Sequence, residues 1–122
     1  MRKMRVPLII IALIFILKGM SLAQKIVPWD QADKYYGQKV TVEGTIQSTA
    51  FSRTGKVCFL NFGYGSQSGL TVVIFSDVRS KFPINPADFY DGKKVWVTGV
   101  VQEGEDNPQI ILNDPSHIEI IK

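Results

Sequence analysis

The chain has one histidine, His117, and one cysteine, Cys58, so few side chains are available for acid–base or nucleophilic catalysis. Such catalysis needs a nucleophile, a base and a group that orients the base. His117 instead follows the pattern of a strand beside Ile118, which favours a structural or surface role. Cys58 shares strand parity with Leu60 and is interpreted as a small core residue, although a lone cysteine can also be a reactive thiol or form an intermolecular bridge. We therefore predict that the protein is not an enzyme.

A second group of polar side chains forms the acidic loop, defined here as residues 103–107, which carries Glu103, Glu105 and Asp106. Carboxylate oxygens suit Ca²⁺, which takes about six to eight oxygen ligands. The spacing of these residues does not match that of an EF-hand loop, and a solvated hairpin tip is the better interpretation. The sequence predicts no metal site and no cofactor.

The first 23 residues have the layout of a secretory signal peptide. Basic residues begin the chain, an apolar run of 12 residues follows over 6–17, and Ser21 and Ala23 stand at positions −3 and −1 of a cleavage site. We predict a signal peptide over 1–23, a single domain over 24–122, and export to the periplasm or the medium. The signal peptide would contact the membrane only transiently, and an uncleaved anchor is the alternative.

The charge balance changes sign when the segment 1–23 is left out. The full chain has 14 Lys and Arg against 11 Asp and Glu, a net charge of +3. Four of the basic residues lie in the segment 1–23, which leaves 10 basic and 11 acidic residues and a net charge of −1. Proteins that bind nucleic acid usually present a basic surface, and the overall charge of the domain does not supply one.

One sequence pattern occurs twice and indicates how the chain folds. Residues 40–46 read V-x-V-x-G-x-I and residues 95–101 read V-x-V-x-G-x-V. The alternation is that of a strand with one buried face. Gly44 and Gly99 stand on the buried parity, where a glycine often marks a bulge or the tight bend of a barrel corner. The repeated pattern therefore predicts two bent strands of a small, strongly coiled barrel.

The remaining patterns predict an all-β domain with little helix. Turn residues and changes of hydrophobic period separate five strands, with a short helix before the first strand and a helical segment between the third and the fourth. The predicted strands are Lys39–Ser52, Val57–Gly63, Leu70–Ser76, Lys93–Gln102 and Pro108–Ile121, the last interrupted at Asn113–Pro115.

Five segments of the chain resemble those of one known group of domains. These segments are Gly37–Gly44, Phe59–Gly63, Val72–Phe75, Gly92–Gly99 and Pro108–Pro115. They resemble the five strands of bacterial OB domains of the type related to tRNA anticodon-binding barrels. The resemblance implies a five-stranded Greek-key OB-fold barrel. It also implies nucleic-acid binding, the activity commonly described for exported members of this group.

The resemblance further implies where a ligand would bind. OB-folds bind on the face of strands two and three, between the loops that join strands one to two and four to five. Phe59 would then stack on a base and Asn61 would hydrogen-bond a base edge. Arg53 and Lys56 stand in the first of these loops, where they could meet phosphates. The expected ligand is single-stranded DNA or RNA, bound weakly and largely without regard to sequence.

Other features favour a role without nucleic acid. Strand three is apolar on both parities, which suits burial, and the acidic loop would repel a phosphate backbone. The alternative is a protein-binding or envelope-associated module that uses the side of strand three or the segment Phe82–Tyr90. Trp96 points outward by parity and could mark a contact surface, although packing beneath that segment is the preferred interpretation.

Overall fold

A computed structural model describes residues 25–63, 69–83 and 85–122. The predicted signal peptide over 1–23 lies outside the described residues. Within these ranges, nine strands and four short helices follow one another. They are β1 Ile26–Pro28, a 3-10 helix Trp29–Lys34, β2 Lys39–Thr45, β3 Ser48–Phe51, β4 Val57–Phe62, β5 Leu70–Phe75, α1 Ser76–Arg79, α2 Pro86–Tyr90, β6 Lys94–Val100, β7 Gln102–Glu103, β8 Pro108–Ile111, a 3-10 helix Pro115–His117 and β9 Ile118–Ile120.

The strands form two sheets, with the orders β1-β2-β6-β9 and β3-β4-β5-β8-β7. The predicted all-β class is confirmed and agrees with an OB-like fold. The predicted five-stranded barrel needs correction, because the nine strands lie in two sheets that do not close on each other. Two of the five predicted strands are each divided into two shorter ones, β2 and β3 and β6 and β7. The last predicted strand is β8 and β9, separated around the predicted interruption at Asn113–Pro115.

The break between β2 and β3 shows how the chain passes from one sheet to the other. The backbone N–H of Ile46 donates to the carbonyl of Lys93, at the end of the first sheet, over 2.9 Å. The next N–H, of Gln47, donates to the carbonyl of Asn61 in the second sheet over 2.8 Å. Adjacent residues thus bond to different sheets, which bends the predicted strand at this point and leaves no long continuous ladder.

The order of the strands is that of a Greek key. β3, β4 and β5 are consecutive antiparallel neighbours, and β6 returns through α1 and α2 to pair with β2. β8 then enters beside β5 as a parallel strand. In this sheet β4 lies between β3 and β5, and β5 lies between β4 and β8, so neither is an edge strand.

The two copies of the repeated pattern pair with each other. Antiparallel β2 and β6 align Val40 with Gly99 and Gly44 with Val95. A Cβ atom on Gly44 would lie 2.5 Å from Trp29 Cδ1 and 2.8 Å from a ring carbon of Phe62. Gly44 therefore does more than permit a bend: its missing side chain makes room for two aromatic rings.

Gly99 in β6 also makes room for a neighbouring side chain. A Cβ atom at this position would lie 2.5 Å from Ile110 Cγ2. The core between the sheets is close-packed around such contacts, and its fully buried side chains include Val42, Ile46, Leu60 and Ile74. Cys58 is also fully buried, so its predicted place in the core is confirmed.

The helices are short and serve as connections. The predicted helix before the first strand is a 3-10 helix, and α2 is capped by Asn85, whose Oδ1 accepts the N–H of Asp88 over 3.3 Å. Trp96 Nε1 donates to Glu43 Oε1 over 2.7 Å, from the directly opposed position on β6. Packing of Trp96 beneath the segment Phe82–Tyr90 stays a prediction. Within the described ranges, no helix is long and apolar enough to cross a membrane.

Candidate functional site

The outer face of the five-stranded sheet carries two rows of side chains that run across the strands. In antiparallel β4 and β5, Asn61 lies opposite Thr71 and Phe59 lies opposite Val73. The neighbouring strands β3 and β8 extend both rows through their own registers. One row is polar and consists of Ser48, Asn61, Thr71 and Gln109. The other is apolar and consists of Ala50, Phe59, Val73 and Ile111.

An open cleft of about 350 Å³ lies over these rows. Its floor comes from the sheet and one wall comes from the acidic loop. The lining residues are Ala50, Phe59, Asn61, Thr71, Glu105, Asp106, Asn107 and Gln109. Phe59 and Asn61, which were expected to contact a ligand together, therefore line one cleft. Arg53 and Lys56, the two expected cations, are not among its lining residues.

Asn61 is held in place from both sides. Its Oδ1 accepts a hydrogen bond from the Thr71 hydroxyl over 3.1 Å, and its Nδ2 donates to Ser48 Oγ over 3.4 Å. An amide has two donor hydrogens and two acceptor lone pairs, so each atom keeps one further hydrogen-bonding position. The arrangement can offer a donor and an acceptor in fixed directions to a group in the cleft.

Phe59 is half-buried, with Val73 buried directly opposite it. Phe75 stands two residues further along β5 on the same face and is 41% exposed. Diagonal cross-strand neighbours of this kind lie roughly 7–8 Å apart. In the sequence, Phe75 stands out only as part of an apolar strand. The signal that identifies it is its parity with Phe59, which becomes informative once the register of β4 and β5 is known.

The cations lie at one end of this face, in the turn between β3 and β4. Arg53 and Lys56 are both exposed there. Arg79 joins them from α1, since its Nη2 donates to the carbonyl of Gly55 over 2.8 Å. Its guanidinium also lies 5.2 Å from the centre of the Phe51 ring. Arg79 is a further cation near this turn, on the Phe51 side of the sheet, that the sequence patterns did not identify because it is distant in sequence.

The acidic loop lies at the other end of the cleft. Glu105 and Asp106 line the cleft wall, and Asn107 Oδ1 accepts the backbone N–H of Gly69 over 3.3 Å, which attaches the loop to the start of β5. In the part of the chain that the structure describes, no group of three or more His, Cys, Asp or Glu side chains is placed to hold a metal ion. The sheet face is thus cationic at one end and anionic at the other.

The side chains considered for catalysis lie apart from the cleft. Burial raises the pKa of the Cys58 thiol above its ordinary value, and the nearby Arg79 guanidinium only partly opposes this effect. His117 is exposed at the end of the second 3-10 helix. Beside it, the backbone and side chain of Ser116 bond to Asp114 and lower the pKa of that carboxyl.

The comparisons with known proteins concern the fold. No protein-family model matches the chain, and no curated protein matches its sequence significantly. An aspartyl-tRNA synthetase from Leishmania major Friedlin is similar in structure, with a TM-score of 0.55 and 15% identity over 83% of this chain and 21% of that one.

Two synthetases from Entamoeba histolytica are similar to a comparable degree. The aspartyl-tRNA synthetase has a TM-score of 0.55 and 13% identity over 83% of this chain and 22% of its own. For the asparaginyl-tRNA synthetase the TM-score is 0.51 and the identity 14%, over 79% of this chain and 23% of its own. This chain spans about a fifth of the length of these enzymes. At such low identity, the likeness shows that the chain shares the fold of one part of them.

Proposed function

We propose that this protein is an exported binding module that holds single-stranded DNA or RNA weakly and largely without regard to sequence. The observation that carries the proposal is the placement of Phe59 and Asn61 in one open cleft on the outer face of β4 and β5. An aromatic ring stacks on any base, because every base has a π-face. Phe59 therefore provides affinity without selecting a sequence.

Asn61 adds an oriented polar contact beside the ring. Because Thr71 and Ser48 hold its amide, little side-chain entropy is lost when a base edge accepts or donates a hydrogen bond there. A second aromatic, Phe75, extends the stacking surface toward the cationic turn. The three side chains together can accommodate more than one unstacked base.

The charges of the face indicate how the strand would lie. Phosphates would be attracted to the turn that holds Arg53 and Lys56, and repelled by Glu105 and Asp106. A base can enter the cleft while its phosphate stays toward the turn. The same carboxylates oppose part of the electrostatic attraction, which is why we propose weak binding.

Two further points support the proposal. The synthetases that share the fold are named for tRNA, and a flexible RNA or DNA strand is a ligand of that chemical class. The basic start and apolar run of residues 1–23 support export.

A second candidate function is protein binding without nucleic-acid activity. It is favoured by the carboxylates of Glu105 and Asp106, which line the same cleft as Phe59 and would repel phosphates. Of the two surfaces considered for a protein partner, the segment Phe82–Tyr90 turns its two end residues into the core. The same segment keeps Phe89 44% exposed, and Phe75 on β5 is 41% exposed, so each surface offers an exposed aromatic ring.

The test is a titration of labelled single-stranded DNA and RNA with the purified full chain at low salt and again at about 200 mM salt, where phosphate-dominated affinity falls steeply. Phe59→Ala should weaken binding roughly 5- to 150-fold, which corresponds to about 1–3 kcal/mol for a lost base stack. Phe89→Ala is the matched control, since Phe89 is 44% exposed in α2 and outside the cleft. Equal binding by both variants would remove Phe59 from the site, and no binding at low salt would favour the protein-binding candidate.

A further inference from the structure

A second cleft of about 320 Å³ shares no lining residue with the first, although its Gln102 lies opposite Gln109 of the first cleft. It is formed by the start of β2, the end of β6 and the chain between β8 and β9. Its lining residues are Lys39, Thr98, Gly99, Val100, Gln102, Ile111, Asn113 and His117. Its volume falls in the range of small-molecule pockets, which is roughly 300–1,000 Å³.

The strand pairings explain why residues so distant in sequence meet here. Lys39 lies opposite Val100 in the β2–β6 pair, and the next outward pair aligns Thr41 with Thr98. On the other side of β6, Val97 pairs with Ile118, so the preceding residue, His117, stands at the end of that pairing. Residues from both sheets thus converge on one patch, because Gln102 and Ile111 come from β7 and β8 of the second sheet.

Every polar side chain of this cleft can donate a hydrogen bond, and those of Thr98, Gln102, Asn113 and His117 can also accept one. Lys39 offers an ammonium group, and Gln102 and Asn113 offer amide N–H groups. No Asp or Glu occurs among its lining residues in the described part of the chain. The carboxylate of the adjacent Asp114 accepts the N–H of Ser116 over 2.9 Å. Lys39 forms no ion pair among the described residues, whereas Lys94 on the same sheet lies 3.7 Å from Glu43.

The other lining groups suit the body of a larger ligand. Val100 is 41% exposed and Ile111 is half-buried beside the donors, so they offer an apolar surface next to a cationic one. The cleft is also larger than one inorganic anion requires. An anion attached to a ring or hydrocarbon group would fill both parts.

We propose that this cleft binds the terminal phosphate of a phosphomonoester. Lys39 is the charged contact with the phosphate, and Val100 packs against the organic part. The further hydrogen-bond donors are His117, Asn113 and Gln102. A phosphate offers several strong acceptor oxygens, which matches a convergence of donors better than a single carboxylate does. The shared chemistry is a terminal phosphate, carried by a free nucleotide or by the end of an oligonucleotide. The site does not depend on the function proposed for the Phe59 cleft.

The test uses the isotope-labelled full chain and follows its backbone amides by NMR at constant ionic strength. Adenosine monophosphate should shift the amides of 98–102 and 117 saturably, inorganic phosphate should do so more weakly, and adenosine should not. Lys39→Gln should weaken nucleotide binding roughly tenfold or more, because a charged hydrogen-bond partner is removed. Lys94→Gln, which removes the same charge outside the cleft, should leave it unchanged.

Two oligonucleotides of the same sequence, one with a 5′-phosphate and one with a 5′-hydroxyl, distinguish binding of a strand end from binding of a free nucleotide. Tighter binding of the phosphorylated strand, abolished in Lys39→Gln, assigns the site to a strand end, while nucleotide binding without that gain assigns it to a free small molecule. Phe59→Ala should not change nucleotide binding. Shifts confined to the turn at Arg53 and Lys56, equal binding by the two lysine variants, or no saturable shift at millimolar nucleotide would each overturn the proposal.

Discussion

The amide of Asn61 is anchored by the hydroxyl of Thr71, which donates to its Oδ1 over 3.1 Å from the directly opposed position on β5. With Ser48 bonded to the amide nitrogen over 3.4 Å, one side chain is tied to strands on both sides. The polar row of the sheet face is thereby oriented before any ligand arrives. A preorganised contact of this kind loses less entropy on binding than a mobile one.

Thr71 should consequently matter for binding although it need not touch the ligand. Thr71→Val removes the hydroxyl at nearly constant shape, and we expect oligonucleotide affinity to fall about two- to tenfold, the worth of one hydrogen bond. Thr71→Ser retains the donor and should bind like the wild type. Unfolding in denaturant checks that both variants remain folded. Equal affinity of the two variants would show that the orientation of Asn61 does not affect binding.

Phe75 should contribute to the same binding surface. Phe75→Ala is expected to lower oligonucleotide affinity by about 1 kcal/mol, the lower end of the range for a stacked base. Phe51→Ala is its matched control, because Phe51 is 44% exposed, close to the 41% of Phe75, but has the opposite strand parity. The measurement is the same fluorescence titration. An effect in Phe51→Ala and none in Phe75→Ala would place the binding surface on the other side of the sheet.

The charges at the two ends of the face should act in opposite directions. Arg53→Gln with Lys56→Gln should reduce the slope of log affinity against log salt by about 0.7 for each phosphate that the variant no longer neutralises. Glu105→Gln with Asp106→Asn should raise affinity at low salt, because like charges are removed from the cleft wall. The measurement is a salt series for each double variant. Unchanged slopes in both would contradict phosphate binding on this face.

Gly44 should tolerate no side chain. Gly44→Ala puts a Cβ atom 2.5 Å from Trp29 and 2.8 Å from Phe62, and we expect the free energy of unfolding to fall by about 1–3 kcal/mol from overpacking. The neighbouring Thr45→Ala is the control and should cost under about 1 kcal/mol. Equilibrium denaturation measures both. Equal stability of the two variants would mean that the aromatic rings move aside at no cost.

Cys58 should be unreactive while the protein is folded. Its thiol is fully buried and its pKa lies above the ordinary value of 9.0, so a thiol reagent at pH 8 should label it only as fast as the chain opens. The raised pKa favours the protonated form. Its contribution to stability is therefore complete below pH 9.0 and is lost as the pH rises through the higher folded value. Cys58→Ala should remove this part of the alkaline loss of stability, and rapid labelling of the folded protein would contradict the buried position.

Residue periodicity alone was sufficient to predict most of the strands. The alternation around Val42 and Val97 follows from the two-residue repeat of a strand with one buried face, and this property is local. The parity of Cys58 with Leu60 predicted its burial for the same reason. Short-range patterns could not reveal that the predicted first strand breaks at Ile46 and Gln47, because the break depends on which distant carbonyls accept their N–H groups.

The candidate site divides in the same way. Strand periodicity is enough to predict that Phe59 and Asn61 lie on one face of a strand, since residues two apart always share a face. Their neighbours in the site depend on contacts between distant segments. The register with β5 adds Thr71 and Phe75, and the cleft wall is lined by Glu105 and Asp106 rather than by Arg53 and Lys56. The physical reason is that strand periodicity acts over two residues, whereas register, loop position and clefts depend on hydrogen bonds and packing between segments far apart in the chain.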